Sequence, residues 1–216
     1  MEEKLKLLKE KMGVVADLQA AAALLGWDQQ TYMPAGGAED RGHALGTLAR
    51  LAHEHFTSDE IGKLLSELEP YAASLDPESD EACLVKVTRH AYDKETKVPG
   101  EKVAEFAFVT TVAQGAWEEA REKSEFAIFQ PHLEKIVCLR REYADYFKPY
   151  DHVYDPLLDD FERGMKTADV KAIFGQLRAL QVELLQAISE RKQVDDGFLH
   201  QAYPEKDQWD FGVDVV

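Results

Sequence analysis

Residues 24–41 read LLGWDQQTYMPAGGAEDR, and this run contains the signals that organise the N-terminal part of the chain. Its apolar start belongs to a helix. That helix is predicted to end at Pro34 and the Gly36–Gly37 pair, because proline cannot continue the hydrogen-bond ladder and glycine permits a sharp turn. A second helix is predicted to begin at Glu39. The polar cluster Asp28–Gln30 at the helix end predicts a structural network beside the turn, with substrate contact as the alternative.

Apolar residues upstream of this run recur at gaps of three and four positions. They are Leu5, Leu8, Met12, Val15, Leu18, Ala22 and Leu25. This spacing places one apolar stripe on a long first helix. Trp27 and, further along the chain, Trp117 fall on such stripes, which predicts that both are core residues.

Start and stop signals divide the rest of the chain into further helices. The predicted starts are Glu39, a Thr57/Glu60 capping box, Asp76–Pro77, the residues after Val98–Gly100, Pro131, Asp155–Pro156 and Thr167. The predicted ends lie at Phe56, towards Pro70, and near Thr96, Tyr150 and Asp195–Gly197. The helix after Thr167 has the clearest apolar stripe, which is predicted to be buried. Its members are Val170, Ile173, Phe174, Leu177, Leu180, Leu184 and Ile188.

The fold class predicted from these signals is all-α, with roughly eight or nine helices, because no stretch shows convincing strand alternation. We treat residues 1–216 as one helical region. The segment 205–216, EKDQWDFGVDVV, begins like an amphipathic helix and leaves several apolar residues without anything after them. It is therefore expected to be the start of a helix that continues in a longer protein.

The composition is acidic, with 41 acidic against 25 basic residues and a formal net charge of −16. A nucleic-acid-binding protein needs a basic surface for phosphates, and an anionic membrane surface also attracts basic residues, so neither partner is expected. No apolar run is long enough to span a bilayer, and the N-terminus lacks the apolar region of a signal peptide, which favours the cytoplasm. Cys83 and Cys138 are expected to be buried, reduced thiols.

The histidines do not have the spacing of a zinc peptidase motif, in which two of them lie four residues apart on one helix face. The sequence at His53 begins like H-E-x-x-H, but Thr57 occupies the position of the second histidine. His53 and His55 point about 200° apart on a helix, so they are interpreted as surface histidines at a helix end.

Two weaker candidate sites are acidic. His152, Asp155 and Asp159 have a spacing that permits a metal site, but Asp155 precedes a proline and is better interpreted as a helix cap. The pairs Asp159–Asp160 and Asp195–Asp196 are interpreted as solvated faces or caps, with a glycosidase-type carboxylate pair as the alternative. No residue is therefore assigned as catalytic, cofactor-binding or metal-binding.

Four stretches together resemble the thermostable carboxypeptidase Taq family of metallocarboxypeptidases. They are WDQQTYMPAGGAEDRG (27–42), HEHFTSDEIGKLL (53–65), AWEEAREKSEFAIFQPHLEKIV (116–137) and YDPLLDDFERGM (154–165). The first resembles the N-terminal signature of the family and is the most specific, and the others follow in the expected order. The resemblance covers roughly residues 14–208.

The resemblance implies a cytosolic, mostly helical and dimeric enzyme that removes residues one at a time from peptide C-termini. Its divalent metal, zinc or cobalt, is held by an H-E-x-x-H motif and a later glutamate in the C-terminal portion of the family. Because this chain contains no such motif, it is expected to be the N-terminal region of such an enzyme. Alone, it is expected neither to bind the metal nor to hydrolyse peptides.

Two further expectations concern association. The apolar residues of 209–216 and other faces without a partner predict dimers or larger oligomers. The alternative to an enzyme fragment is a stand-alone helical interaction or scaffold module without catalysis, and an in-frame H-E-x-x-H helix after Val216 would discriminate between the two.

Overall fold

The computed structural model describes residues 1–216 apart from the side chain of Ala35. In this described chain there are nine α-helices and no strand, which confirms the all-α prediction. The helices are α1 (Glu2–Thr31), α2 (Ala38–Phe56), α3 (Asp59–Ala72), α4 (Asp80–Glu95), α5 (Gly100–Lys123), α6 (Phe126–Asp145), α7 (Asp155–Asp159), α8 (Thr167–Ser189) and α9 (Glu205–Val215). Short 3-10 helices occupy Ala35–Gly37 and Gly197–His200.

A tight connection joins α1 to α2, as the opening sequence run predicts. The backbone N–H groups of Tyr32 and Met33 both donate to the carbonyl oxygen of Asp28, at 2.9 Å each, and so close the last turn of α1. Pro34 then adopts an extended conformation, with φ −60° and ψ 145°, which ends the helix. The single 3-10 turn that follows leads directly into α2.

The first four helices share one hydrophobic core. Its buried residues are Leu5, Leu8, Val15, Ala52, Phe56, Ile61, Leu64, Leu65, Leu68 and Val85. The predicted stripe of α1 supplies three of them and partly buried residues beside them, so that prediction is confirmed. Burial of a leucine or isoleucine side chain stabilises the fold by about 1.5–3 kcal/mol, which makes this cluster the main source of stability for α1 to α4.

Small residues allow α2 to pack closely against α5. A Cβ atom at Gly42 would lie 2.8 Å from the Cδ2 atom of Phe108, and one at Gly46 would lie 3.1 Å from the carbonyl oxygen of Ala104. A Cβ atom at Gly42 would therefore require the Phe108 ring to shift, and one at Gly46 would press on the backbone of α5. This close contact positions the N-terminal half of α5, which lines the candidate site described below.

Helices α5 and α6 form an antiparallel hairpin. Ser124 ends α5 in the left-handed conformation, with φ 52°, and α6 begins two residues later. Ion pairs then connect the two helices: Lys102 lies 3.0 Å from Glu142, and Lys135 lies 2.6 Å from Glu105.

The chain divides into two compact units, Met1–Gly164 and Met165–Val216. The first contains α1 to α7, and the second contains α8 and α9. Of the described helices, none combines the length and the apolar character that crossing a membrane would require. The assignment of residues 1–216 to a single region of a larger enzyme stays a prediction.

Several predicted helix boundaries are wrong. Thr57 does not open α3; its hydroxyl donates to the carbonyl oxygen of His53, at 2.8 Å, and so ends α2. Ser79, not Asp76, is the N-cap of α4, where its hydroxyl accepts from the Ala82 N–H. Pro131 lies inside α6.

The cap of α8 is also one residue from its predicted place, and α6 ends earlier than predicted. Lys166 rather than Thr167 is the N-cap residue of α8. Helix α6 ends at Asp145 instead of near Tyr150. Helix α7 begins at Asp155 with Tyr154 as its N-cap residue, so its cap is also one residue from the predicted Asp155.

The largest error concerns burial of apolar stripes. The stripe of α8 is predicted to be buried, but Phe174, Leu180 and Leu184 are between 61% and 67% exposed. Trp27 and Trp117 are also exposed rather than core residues. Helical periodicity shows which residues share a face, but it does not show whether another element covers that face.

The two cysteines are likewise exposed rather than buried, and both are free thiols. Each lies next to a buried residue, Cys83 after Ala82 and Cys138 before Leu139. A shift of one residue on a helix turns a side chain by about 100°, which carries both thiols out of the packed face.

Candidate functional site

A polar network fixes the angle between α1 and α2. The Arg41 guanidinium on α2 donates to the Asp28 carboxylate and to the carbonyl oxygen of Leu25, both on α1. Its side chain is only 15% exposed, so water screens these contacts weakly. The Gln29 side-chain amide donates to the carbonyl oxygen of Thr111 on α5, at 3.1 Å. These contacts agree with the structural interpretation for Asp28 and Gln29, whereas Gln30 is exposed.

The first compact unit contains an open cavity of about 460 Å³ between α4, α5, α6 and α7, which we call the α4–α7 cavity. Its ionisable lining residues, tyrosines aside, are His90, Lys94, Glu95, Lys102, Arg140, Glu142, Asp159 and Asp160. Its apolar and aromatic lining residues are Ala91, Val98, Val103, Phe106, Leu139, Tyr143 and Tyr146. The volume is in the range of a small-molecule site, and the wall combines apolar surface with a few polar groups, as such sites usually do.

Lys94 is the centre of an ion cluster on one side of the cavity. Its ammonium group contacts the carboxylates of Asp159, at 2.8 Å, and Asp160. Burial alone opposes the charge of Lys94, but the hydrogen bonds to the two carboxylates outweigh it and raise the pKa of Lys94 above its ordinary value. Burial likewise opposes the charge of Asp159, and hydrogen bonds from Lys94 and the Gly164 N–H hold its pKa below the usual range. The cluster ties α7 to α4.

Tyr143 on α6 completes this cluster. Its hydroxyl donates to the Asp160 carboxylate, at 2.8 Å. Burial, followed by that hydrogen bond, raises the pKa of the Tyr143 hydroxyl above its ordinary value. Tyr143 therefore stays neutral at physiological pH and acts as a donor. Three helices are thus joined by one network.

A second ion network lies where α5 meets α6. Hydrogen bonds to Glu105 and Glu142 raise the pKa of Lys102 above its ordinary value. Hydrogen bonds from Lys135 and then Lys102 hold the pKa of Glu105 below its ordinary value. Glu105 is therefore paired with two lysines and charged, which removes it as a candidate general acid.

A second cavity of about 500 Å³, mostly apolar, lies between α1, α2, α4 and α5. It shares Ala91, Glu95 and Val103 with the α4–α7 cavity, so the two adjoin. His53 lines it, and the Nδ1 atom of its ring lies 3.0 Å from the Glu95 carboxylate. His53 is buried, which corrects the interpretation as a surface histidine. Its spacing of seven from Gly46 places it on the packed face of α2.

The acidic candidate sites form local hydrogen bonds and ion pairs. The Asp155 carboxylate accepts from the backbone N–H of His152, at 3.2 Å, which lies before α7. Because Tyr154 rather than Asp155 is the N-cap residue of α7, the interpretation of Asp155 as the helix cap is wrong by one residue. Asp159 lies in the ion cluster, where the Nε2 atom of His90 also approaches it at 3.3 Å. Asp195 accepts from the Gly197 N–H, at 3.0 Å, so it stabilises a turn.

Metal chemistry does not fit the side chains present. Among the described residues, no group of three or more His, Cys, Asp and Glu side chains is arranged to hold a metal ion. His55 is exposed and lies on the opposite side of α2 from the buried His53. The α4–α7 cavity also has no serine, threonine or cysteine among its lining residues. These residues can bind and orient a ligand, but they supply no activated nucleophile.

Sequence reasoning missed most of the α4–α7 cavity. Lys94 and Asp159 are 65 positions apart, and no local pattern connects them. Arg140 and Tyr143 were not singled out either, because a basic and an aromatic residue on an amphipathic helix are ordinary. Among the charged lining residues, the sequence indicated only Asp159 and Asp160 as candidates for a site, and it did not indicate that Lys94 is their partner.

Comparison with known proteins identifies the family. The sequence profile described as Carboxypeptidase Taq (M32) metallopeptidase matches residues 7–216. The chain belongs to the M32 family. This confirms the resemblance found in the four sequence stretches.

Among M32 relatives, Thermostable carboxypeptidase 1 of Thermus thermophilus is 32% identical over 211 residues, which cover 93% of this chain and 41% of the relative. Carboxypeptidase 1 of Bacillus subtilis is 30% identical over 195 residues, which cover 90% of this chain and 38% of the relative. The chain therefore spans about two fifths of the length of these M32 relatives.

Solved M32-type structures have the same fold. The crystal structure of BsuCP matches 98% of this chain and 42% of that one, with a TM-score of 0.87 and 28% identity. The M32 carboxypeptidase of Deinococcus radiodurans R1 matches 99% of this chain and 42% of that one, with a TM-score of 0.75 and 34% identity. The helices described above are thus those of one part of the M32 fold.

Proposed function

We propose that this chain forms the N-terminal helical part of a metal-dependent carboxypeptidase that releases C-terminal amino acids from peptides with broad specificity. One observation carries the proposal: the fold matches that of BsuCP over 98% of this chain, but over only 42% of that protein. M32 membership supports the reaction class, since the relatives are named carboxypeptidases. In this proposal the chain alone is inactive.

The catalytic metal of the proposal, zinc or cobalt, is held by residues outside 1–216. Support comes from the described residues, which offer no group of ligands for such an ion. The incomplete H-E-x-x-H motif at His53 supports the same proposal. The His53 ring is buried against Glu95, and Thr57 occupies the position where a second histidine would be needed. We therefore assign no residue of this chain to metal binding or catalysis.

The role that we propose for these helices is to form a wall that limits access to the peptide substrate. Two adjoining cavities, of about 460 and 500 Å³, support this role because they offer concave, mostly apolar surface next to charged groups. The ion clusters hold that wall rigid. A rigid wall admits an extended peptide end and excludes folded proteins.

A chimera with a relative tests the proposal. The chain replaces its matched segment in Carboxypeptidase 1 of Bacillus subtilis, and release of the C-terminal residue from an N-blocked peptide is followed. We expect chelator-sensitive release by the chimera and none by the chain alone. A folded chimera that retains its metal and binds substrate, but lacks any release, would contradict the proposed role.

We also propose that the protein acts in the cytoplasm as a homo-oligomer, as the family resemblance implies. Exposed apolar side chains on α8 and α9 support self-association, since large exposed apolar surfaces commonly mark protein interfaces. Trp209 and Phe211 on α9 are 73% and 70% exposed. Sedimentation of the purified chain measures this association directly.

The same exposed faces favour a second candidate function, that of a helical interaction or scaffold module without catalysis. The chimera discriminates between the two. Restored peptide release supports the proposal that the chain is part of a carboxypeptidase. A chain that binds a partner protein through α8 and never restores release supports the module.

A further inference from the structure

Arg140 is distinguished from the other basic residues of the α4–α7 cavity by its lack of a carboxylate partner. Lys94 pairs with Asp159 and Asp160, and Lys102 pairs with Glu142 at 3.0 Å. Arg140 is the only lysine or arginine of the described lining for which no such pair is found. In a chain with 41 acidic and 25 basic residues, an arginine unpaired beside four carboxylates is unexpected.

Aromatic rings hold the guanidinium of Arg140 in place. Its Cζ atom lies 4.1 Å from the centre of the Phe106 ring and 5.9 Å from that of Tyr143. Stacking uses the flat face of a guanidinium and leaves the N–H groups on its edge available as donors. Those donors match the two oxygens of one carboxylate, which arginine binds through two parallel hydrogen bonds.

Part of the cavity wall is apolar. Val98 and Leu139 are buried side chains of the lining, and Val103 on α5 lines the same cavity. A ligand held by Arg140 inside the cavity would therefore have hydrocarbon surface available for a substituent. The four carboxylates of the lining, which are engaged with lysine or histidine partners, would repel a ligand with a second negative charge.

We propose that the α4–α7 cavity binds a monocarboxylate with an apolar substituent, and that Arg140 is the residue that binds its carboxylate. The C-terminus of a peptide and a free apolar carboxylic acid both have this chemistry. The inference does not rest on the proposed enzymatic function, because binding is measured on the 216-residue chain without any catalytic metal.

Nuclear magnetic resonance titration of the 15N-labelled chain tests the proposal. The probes are N-acetyl-leucine, its uncharged analogue N-acetyl-leucinamide, and hexanoate. We expect the acid to shift the Arg140 side-chain N–H signal with a Kd on the order of 1 mM, and the amide to bind at least ~10-fold more weakly. Binding of hexanoate as well indicates a general site for apolar acids, whereas binding of N-acetyl-leucine alone indicates a peptide C-terminus.

Arg140→Gln and Arg141→Gln form a matched pair of variants. They remove the same charge from neighbouring positions of α6, but only Arg140 lines the cavity. Arg140→Gln should weaken acid binding at least ~10-fold while the rest of the spectrum stays folded, and Arg141→Gln should leave it unchanged. Equal binding of acid and amide, equal effects of the two variants, or no binding at about 10 mM would each overturn the proposal.

Discussion

Arg41 shows how a single side chain determines the arrangement of two helices. It donates to the Asp28 carboxylate and to the Leu25 carbonyl oxygen, so it satisfies groups at the end of α1 from a position on α2. The sequence predicted that Asp28–Gln30 belong to a structural network, with substrate contact as the alternative. It did not indicate that Arg41 pairs with Asp28, because Glu39 and Asp40 lie nearer to Arg41 in the sequence.

Replacement of Arg41 tests this contact. Arg41→Gln should lower the free energy of unfolding by about 1–3 kcal/mol, since a partly buried carboxylate loses its charged donor. The control is Arg50→Gln, which removes an exposed pair with Glu54 on the same helix and should cost less than about 0.5 kcal/mol. Urea denaturation followed by circular dichroism measures the free energy of unfolding of both variants. If the two substitutions lowered it equally, the role of Arg41 would be refuted.

The Lys94 cluster makes a prediction about pH. Because the pKa of Asp159 is lowered by folding, its contribution to stability is present above pH ~4 and is lost as the pH falls through its folded pKa. The pKa of Lys94 is raised, so its contribution is present below pH ~10 and is lost only as the pH rises through its folded pKa. The cluster thus stabilises the protein at neutral pH.

Lys94→Met should therefore destabilise the protein at pH 7 by about 1–3 kcal/mol, because two carboxylates lose their shared cation. The difference from the unmodified protein should shrink as the pH falls below ~4 and through the folded pKa of Asp159, because the Asp159 carboxylate becomes protonated. Denaturation at several pH values measures the trend. Lys148→Met, which removes a pair exposed on both sides, is the control and should have little effect at any pH. A pH-independent difference would contradict the account.

At the scale of elements, glycine determines how closely α2 approaches α5. Gly46→Ala should destabilise the protein by about 1–2 kcal/mol, since the added methyl group would meet the Ala104 carbonyl oxygen at 3.1 Å. Gly115→Ala is the matched control, because no atom lies within 4 Å of its Cβ position. It should stabilise α5 by up to about 1 kcal/mol. Thermal unfolding of both variants measures the change in stability. If both substitutions stabilised the protein, or both destabilised it, this account of the packing would be refuted.

Helix existence could be predicted from sequence, but helix ends and tertiary partners could not. The stripe of α1 and the breaks at Pro34 and Pro99 are local features, so periodicity and proline were sufficient. The start at Thr57 failed because the Thr57 hydroxyl reaches the His53 carbonyl oxygen of the preceding helix. The start at Pro131 failed because α6 has already begun at Phe126. The α4–α7 cavity was not predictable, since it is formed by residues far apart in sequence.

At the scale of the whole molecule, the exposed apolar stripe of α8 predicts self-association of the purified chain. Leu180→Glu should lower the average mass measured by sedimentation, because it places a charge on the exposed stripe. Gln186→Glu adds the same charge about 120° from Leu180 around the same helix and should have no such effect. If the unmodified chain were monomeric at high concentration, this prediction would be wrong.

The central proposal is that these nine helices, which belong to the M32 fold, do not themselves hold its catalytic residues. The most direct measurement is release of the C-terminal residue from an N-blocked peptide by the purified chain supplied with zinc or cobalt, with Carboxypeptidase 1 of Bacillus subtilis as the active reference. We expect the reference to release the residue and the chain to release none. Release by the chain that a chelator abolishes would contradict the claim.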